Sequence, residues 1–306
     1  MESVNFDRAA GYYDATRALP ETTMAQLTAL LAAELAKRQP CLEIGVGTGR
    51  FALPLRAAGI AMAGTDISGA MLRRLAANAG GGSPFPLAQA DATRLPFAAG
   101  TFGSVLAVHV LHLIPDWRVA VDEAVRVLRP GGALVASFPT DNRAPGEPGG
   151  TTPGAAGPGD AARPDDSASP QDSASPGDSA SEAGAVGLSR DAVAPWAGAM
   201  REAARRHGMR RTPFGAQAPS AVAGYLAGRA TPRELDPVPV RAVWTLGEAI
   251  EHVERQLFSW SWPFSPEQAR AAAADVRAWA DGAGMPLETA HESETAVRCW
   301  AFELRS

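Results

Sequence analysis

Leu42-Glu43-Ile44-Gly45-Val46-Gly47-Thr48-Gly49-Arg50 is the stretch that decides the fold of this 306-residue chain. Leu42 and Ile44 are typical of the end of a buried strand, and the three alternating glycines permit a tight turn in which backbone can approach a ligand. The turn is expected to open a helix over about 50–58, whose free N–H groups would point at whatever is bound. The pattern predicts the strand–turn–helix unit that begins an α/β sheet.

Two acidic positions follow the glycine turn. Residues 59–66 read as a second strand that ends in Asp66, seventeen positions after Gly49. An acidic side chain at that place can bind a ribose diol in an α/β sheet. Asp91 stands in a second acidic loop, after a third short strand, where the alternative is a simple turn residue.

The rest of the chain alternates between strand-like and helix-like segments. Apolar residues at helical spacing over 21–37 predict a helix packed on the sheet, and Ser68 is a plausible N-cap for the next helix. Further strands are predicted at 101–109, 133–138, 238–244 and 295–304. Further helices are predicted at 117–128, 191–207, 220–227, 246–258 and 266–280.

With Glu43 before the first glycine, these motifs resemble class I S-adenosylmethionine (SAM) methyltransferases, particularly the small-molecule branch that includes ubiquinone/menaquinone-type enzymes. The resemblance covers about Phe6 to Phe138 and several motifs in the right order. It implies a Rossmann-like, seven-stranded, mostly parallel sheet with the last strand antiparallel, helices on both faces and a helical cap or lid. It also implies one methyltransferase domain over 1–306, divided into an N-terminal cap and first helix (1–40), a SAM-binding core (41–140), an insertion (143–187) and a C-terminal part with lid helices (188–306).

The resemblance also assigns S-adenosyl-L-methionine as the cofactor. Tyr13 would close over it and Arg17 would face its methionine carboxylate, with ordinary packing of the helical cap as the alternative. Ile67 and Met71 would contact the adenine and ribose, although a Met at that spacing also suits a core, and Asp91 would accept from the adenine amino group. The implied cofactor-binding residues are Tyr13, Arg17, Glu43, Gly45, Gly47, Thr48, Gly49, Asp66, Ile67, Met71, Asp91, Ala92, Val108 and His109.

Two histidines stand after the predicted fourth strand, where ligands bind in an open parallel sheet. Either His109 or His112 could act as a general base on an acceptor, or His109 could line the cofactor and His112 cap a helix. An aromatic patch further along is interpreted as a lid over an apolar acceptor, with core packing as the alternative. The lid residues in this interpretation are Tyr225, Trp260, Trp262 and Phe264.

The segment 143–187 lacks aromatic, Leu, Ile and Met residues and is predicted to be a disordered insertion. Residues 141–187 contain eight acidic residues and two arginines, which gives this stretch a net charge of −6. Since the whole chain has a net charge of −5, the remaining residues together carry +1. A nearly neutral folded part gives no broad surface for nucleic acid. The absence of a long apolar run and of a signal-like start predicts a cytoplasmic protein with no membrane partner.

The predicted chemistry is methyl transfer to a small, partly apolar metabolite by in-line displacement, driven mainly by proximity. No metal is expected, because no group of residues has convincing ligand spacing. The alternatives are an NAD(P)-dependent oxidoreductase, whose usual glycine spacing differs from the alternation here, and a non-catalytic SAM-binding scaffold. The acceptor, the methylated atom and the oligomeric state do not follow from the sequence.

Overall fold

A computed structural model describes residues 3–139, 194–210 and 215–305. Its strands are β1 (Cys41–Ile44), β2 (Met62–Asp66), β3 (Leu87–Gln89), β4 (Phe102–Val108), β5 (Leu128–Ser137), β6 (Ala230–Glu234), β7 (Val238–Thr245), β8 (Ala290–Val297) and β9 (Cys299–Leu304). Its α-helices are α1 (Tyr13–Arg17), α2 (Glu21–Leu35), α3 (Ala52–Ala57), α4 (Gly69–Asn78), α5 (Trp117–Val127), α6 (Ala197–Arg206), α7 (Pro219–Tyr225), α8 (Leu246–Glu254) and α9 (Pro266–Gly282). The predicted insertion at 143–187 lies outside these ranges.

Seven of the described strands form the central sheet, in the order β3-β2-β1-β4-β5-β9-β6. The strands β1 to β5 pair in parallel, whereas β9 runs antiparallel to both β5 and β6. The predicted fold class is confirmed. Because β1, β2 and β4 are parallel neighbours, their carboxyl ends meet at one edge of the sheet, where open α/β sheets bind ligands.

Apolar residues cover both faces of the sheet. In β4 all seven residues are buried, and alternate residues join different clusters: Val105 packs with helix α5, and Leu106 packs with helix α2. Successive strand side chains point to opposite faces, so a strand covered on both sides reads as a continuous apolar run. On α2 the fully buried Leu27, Leu31 and Leu35 form the stripe that packs on the sheet.

The late strands differ from the prediction. Residues 238–244 were expected in the main sheet, but β7 pairs antiparallel with β8 in a separate two-stranded sheet. The sixth strand of the main sheet is β6, whose sequence is polar and contains Pro232. Proline is tolerated on an edge strand because its missing N–H can face away from the neighbour, so a solvent-facing edge gives no alternating apolar signal. The expected last strand at 295–304 is divided at Arg298 into the end of β8 and β9.

The small sheet and three helices form a cap, which we define as β7, β8, α6, α8 and α9. Its core includes the fully buried Trp196 together with Trp260, Ile250 and Val276. Helix α8 begins with a capping box between Thr245 and Glu248, as its sequence favours. Apart from α6, which precedes β6, the cap lies between β6 and β9 along the chain. Most of this second apolar core is therefore inserted between two neighbouring strands of the main sheet.

Candidate cofactor and acceptor site

A cleft that is open to solvent lies at the carboxyl ends of β1, β2 and β4. Loops at this edge and the N-terminal segment both contribute to its lining. Its lining comprises Ser3, Val4, Phe6, Tyr13, Ile44, Gly45, Gly47, Thr65, Asp66, Ile67, Met71, Ala90, Asp91, Ala92, Val108, His109, Val110, Leu113 and Ile114.

The glycine turn has the backbone that its sequence predicts. Gly45 and Gly47 have φ of +66° and +56°, a region that other residues enter at a cost. A Cβ on Gly45 would lie 2.6 Å from Cγ2 of Val110, which leaves no room for a side chain. Around Gly47 the nearest atom to such a Cβ is a backbone oxygen 3.9 Å away, so the backbone of the turn faces open space in the cleft.

Asp66 ties the glycine turn to the start of α4. Its Oδ2 accepts from the N–H of Gly47 at 2.8 Å, and its Oδ1 accepts from the N–H of Ser68 at 2.8 Å. Burial raises the pKa of Asp66, and these two backbone donors offset part of that effect. A carboxylate oxygen can accept more than one hydrogen bond, so Asp66 retains capacity for ligand hydroxyls. Ser68 caps α4 as predicted, accepting from the N–H of Met71 at 3.1 Å.

Asp91 also lines the cleft. Its Oδ1 accepts from both the backbone and the hydroxyl of Thr93, each at 2.8 Å, which is the turn role weighed as the alternative. Within the described part of the chain Oδ2 makes no hydrogen bond. The two roles are therefore compatible, because one oxygen holds the turn and the other can accept from a ligand donor.

Glu43 is buried beside the cleft but does not line it. Its side chain is 2% exposed, and Oε2 has no hydrogen-bond partner among the residues described. Burial raises the pKa of Glu43 well above its usual range, Asp66 adds to the rise, and Arg50 opposes it. A buried carboxylate oxygen without a donor is costly unless a ligand or a cation completes it.

His109 reaches the cleft through an unusual backbone. It follows β4 with φ of +51°, which is rare for a residue with a side chain, and its N–H donates to Oγ of Ser137 at 3.2 Å. Such a conformation often marks a functional position, because the surrounding fold must hold it in place. His112, the other candidate base, lies on the turn Leu111–Leu113 and outside the cleft lining.

Several other candidates take positions away from the cleft. The Arg17 guanidinium lies 3.9 Å over the ring of Phe258 and donates to the carbonyl of Leu257 at 3.3 Å, so it contacts the cap. Thr48 is 1% exposed and donates to Asp14, and Gly49 packs against leucine side chains.

The four predicted lid aromatics do not line the cleft either. Trp260 and Phe264 pack in the cap core, the core alternative that the sequence left open, and the hydroxyl of Tyr225 donates to Asp122 at 2.5 Å. Trp262 comes nearest, with its ring centroid 4.8 Å from that of Phe6, which does line the cleft.

Sequence reasoning missed part of the lining. Phe6, Leu113 and Ile114 give the cleft an apolar wall, and Thr65 is a buried floor residue whose hydroxyl has no partner in the described structure. Phe6 lies in the N-terminal aromatic stretch, and Leu113 and Ile114 follow His112, so position along the chain was the available signal. No sequence signal marked the hydroxyl of Thr65 as a cleft group, because threonine is common in strands.

The strand order, and the place of the cleft at the switch from β1 to β4, resemble those of class I SAM-dependent methyltransferases. Residues 42–136 match the family described as a methyltransferase domain. The resemblance predicted from the motifs is confirmed.

Curated relatives match less than half of the chain. An uncharacterized protein of Mycobacterium tuberculosis is 34% identical over 119 residues, which cover 38% of this chain and 43% of that protein. A demethylmenaquinone methyltransferase of Clavibacter sepedonicus is 34% identical over 141 residues, 44% of this chain and 56% of that enzyme. The chain thus spans about half the length of these relatives.

A solved structure extends the comparison of folds to most of the chain. The YcgJ protein of Bacillus subtilis superimposes with a TM-score of 0.50 at 14% identity, covering 94% of this chain and all of that one. At this identity the likeness concerns the fold alone.

Over 3–139, 194–210 and 215–305, no three His, Cys, Asp or Glu side chains come together as a metal site. None of the helices in those ranges is both long and apolar enough to cross a bilayer.

Proposed function

We propose that the chain transfers the methyl group of SAM to a small, partly apolar acceptor by in-line displacement. The observation that carries this proposal is the convergence of the glycine turn, Asp66, Asp91 and His109 on one cleft. We include the whole chain, 1–306, in a single functional domain, because β9 pairs with β5 and closes the sheet from the C-terminal side. Both cysteines are buried and form no disulfide, which fits the cytoplasmic location that we propose.

The residues of the cleft suit the cofactor. Asp66 would hold the ribose hydroxyls, and the unengaged Oδ2 of Asp91 would accept from the adenine amino group. The Gly45 and Gly47 backbone would lie against the methionine part. When bound, SAM supplies an electrophilic methyl group on a sulfonium whose sulfur is already a good leaving group.

The rest of the lining points to the kind of acceptor. Phe6, Val4, Leu113 and Ile114 form an apolar wall, and among the described residues no lysine or arginine lines the cleft. A carboxylate or phosphate acceptor would find no counter-charge there, whereas an apolar body with one hydroxyl or amine would bury well. The acceptor class that we propose is therefore an uncharged molecule with one nucleophilic atom.

The chain's contribution to the reaction is chiefly positioning. The apolar wall and Tyr13 would hold the acceptor and exclude water, which can lower the barrier by several kcal/mol, on the order of the effect of well-oriented intramolecular reactions. The imidazole of His109 would take the proton that the nucleophile loses, since a histidine titrates near neutral pH. The backbone kink at His109, held by Ser137, aims that residue at the cleft.

Binding calorimetry tests the proposal. We expect wild-type protein to bind SAM and S-adenosylhomocysteine and not NAD(H), and Asp66→Asn to weaken both by roughly tenfold or more, since it removes a charged acceptor. The matched control is Asp275→Asn, because Asp275 pairs with Arg206 and His207 on the cap surface, away from the cleft. Binding of NAD(H), or equal affinity for the adenosyl ligands in wild type and Asp66→Asn, would contradict the proposal.

The two alternative functions, an NAD(P)-dependent oxidoreductase and a non-catalytic SAM-binding scaffold, have less support. The matched relatives give no support to an NAD(P)-dependent oxidoreductase. A non-catalytic scaffold would bind SAM yet lack a route for the acceptor, whereas this cleft has an open mouth and a histidine in its lining. Methyl transfer to a panel of uncharged phenols and amines would separate an enzyme from a scaffold.

A further inference from the structure

The N-terminal segment, defined as residues 3–17, covers one side of the cleft. Ser3, Val4, Phe6 and Tyr13 belong to the cleft lining, and the N–H of Val4 donates to the carbonyl of Leu113 at 3.2 Å. The segment is short and its single α-helix, α1, has no buried residue. Little apolar burial holds α1 in place, so its position depends on polar contacts with the rest of the domain.

The strongest of these contacts joins α1 to the glycine turn. The hydroxyl of Thr48 donates to Oδ1 of Asp14 at 2.5 Å, a distance typical of a hydroxyl bound to a charged carboxylate. Asn78 donates to Oδ2 of Asp14 at 3.1 Å and also to the carbonyl of Thr48 at 3.1 Å, which closes a triangle. Thr48 stands between Gly47 and Gly49, so a group that fixes Thr48 fixes the turn.

The same segment is held at a second place, at the other end of α4. Oδ1 of Asp7 accepts from the Ser68 hydroxyl at 2.5 Å and from the N–H of Ala70 at 3.1 Å. The hydrogen bond from Ser68 lowers the pKa of Asp7, so the carboxylate stays ionised at neutral pH. Asp7 therefore meets the start of α4 beside Asp66, and Asp14 meets its end beside the glycine turn.

We propose that Asp14 and Thr48 are positioning residues that latch the N-terminal segment to the glycine turn, so that binding of the adenosyl ligand and ordering of the segment are one event. The inference rests on the proposed function, because it concerns the same cleft. The physical reason is a shared element: the N–H of Gly47 is held by Asp66 while the next residue is held by Asp14. A ligand that fixes the turn thereby fixes the site to which the segment attaches.

The test combines calorimetry with S-adenosylhomocysteine and hydrogen exchange of the backbone amides of residues 9–16. Within this range, the amides of Ala9, Tyr12 and Thr16 donate hydrogen bonds to carbonyls of the same segment. In wild type, the ligand is expected to slow exchange of these amides. Thr48→Val should weaken binding by roughly tenfold, the worth of one charge-assisted hydrogen bond, and should abolish the ligand's protection of the segment. Thr48→Ser, which keeps the hydroxyl, should restore both to within about twofold.

The matched control is Thr23→Val, because Thr23 is also a buried threonine whose hydroxyl donates to a protein oxygen, the carbonyl of Pro239, but far from the cleft along α2. It should lose stability without any change in ligand affinity. If Thr48→Val does not fold, Asp14→Asn serves in its place, and Asp14→Ala combined with Thr48→Ser should bind no better than Asp14→Ala alone.

The outcomes separate the two proposals. Failure of wild type to bind S-adenosylhomocysteine would overturn the proposed function and the latch with it. Ligand binding by wild type with unchanged affinity and unchanged protection of residues 9–16 in Thr48→Val would overturn the latch alone, as would a Thr48→Ser variant that behaves like Thr48→Val.

Discussion

Replacing Gly45 by alanine tests whether the glycine turn is as closely packed as the structure indicates. The residue has φ of +66°, and its new Cβ would lie 2.6 Å from Cγ2 and 3.1 Å from Cβ of Val110. The left-handed backbone costs about 1–2 kcal/mol for any residue with a Cβ. Overpacking against a fixed neighbour adds about 1–3 kcal/mol, so we expect the free energy of unfolding to fall by roughly 2–5 kcal/mol in total.

Gly59→Ala separates the two contributions. Gly59 also has a positive φ, +88°, but no atom lies within 4 Å of its would-be Cβ, so it carries the backbone cost alone. Urea unfolding of both variants should show Gly45→Ala less stable than Gly59→Ala by about 1–3 kcal/mol, the steric part. Calorimetry should show S-adenosylhomocysteine binding weakened in Gly45→Ala and unchanged in Gly59→Ala. Equal destabilisation of the two variants would refute the close packing that we infer at the turn.

Three further changes test other parts of the structure. Burial alone would raise the pKa of Glu34, but hydrogen bonds from Lys37 and Arg233 outweigh burial and lower the pKa. Glu34→Gln should therefore reduce the free energy of unfolding by about 1–2 kcal/mol at neutral pH. This loss should be complete above about pH 4.3 and disappear as the pH falls through the folded-state pKa of Glu34. Thermal unfolding of wild type and variant from pH 7 to pH 3 measures this, and a constant gap over that range would contradict it. His109→Val should destabilise the protein by about 1–2 kcal/mol more than His109→Asn, because asparagine tolerates the positive φ of 51° and a β-branched residue does not; chemical denaturation decides, and equal stability would mean that the kink relaxes. Thr245→Ala should cost about 1 kcal/mol through loss of the helix cap, whereas Thr245→Ser should cost little, and thermal melting that shows no difference between them would refute the capping role.

Local patterns predicted the site better than the periphery of the sheet. The glycine turn, Asp66 and the Ser68 cap depend on backbone conformation and short-range hydrogen bonds, which the sequence encodes within a few residues. They could be predicted because a turn with positive φ restricts the residues that fit it. Asp91 was predicted in the same way, from its place just after a strand.

The edge of the sheet could not be predicted by the same means. Strand β6 has one buried residue followed by four exposed ones, so no apolar alternation marks it. Strand β7 does alternate, but alternation shows that one face is buried and says nothing about the partner strand. Which sheet each segment joins is set by contacts with β9 and β8, more than forty residues away along the chain.

Aromatic and charged side chains carried the least information about position. Trp260 and Trp262 are separated by one residue, yet one packs in the cap core and the other lies against Phe6 above the cleft. Arg17 stacks on Phe258 although its charge would equally suit a ligand carboxylate. Such residues bury favourably in either setting, so their role depends on tertiary placement.

The place of β9 between β5 and β6 has a consequence for how the molecule assembles. Within the described residues, β6 forms ladder hydrogen bonds with β9 alone, and β9 begins at Cys299, 69 residues after the start of β6 at Ala230. Until that strand has left the ribosome, the sides of β5 and β6 that it will bridge remain unpaired, and exposed strand edges invite association with other chains. Synthesis from the N-terminus therefore produces the strands of the ligand-binding half first, and the strand that covers the exposed edges of β5 and β6 last.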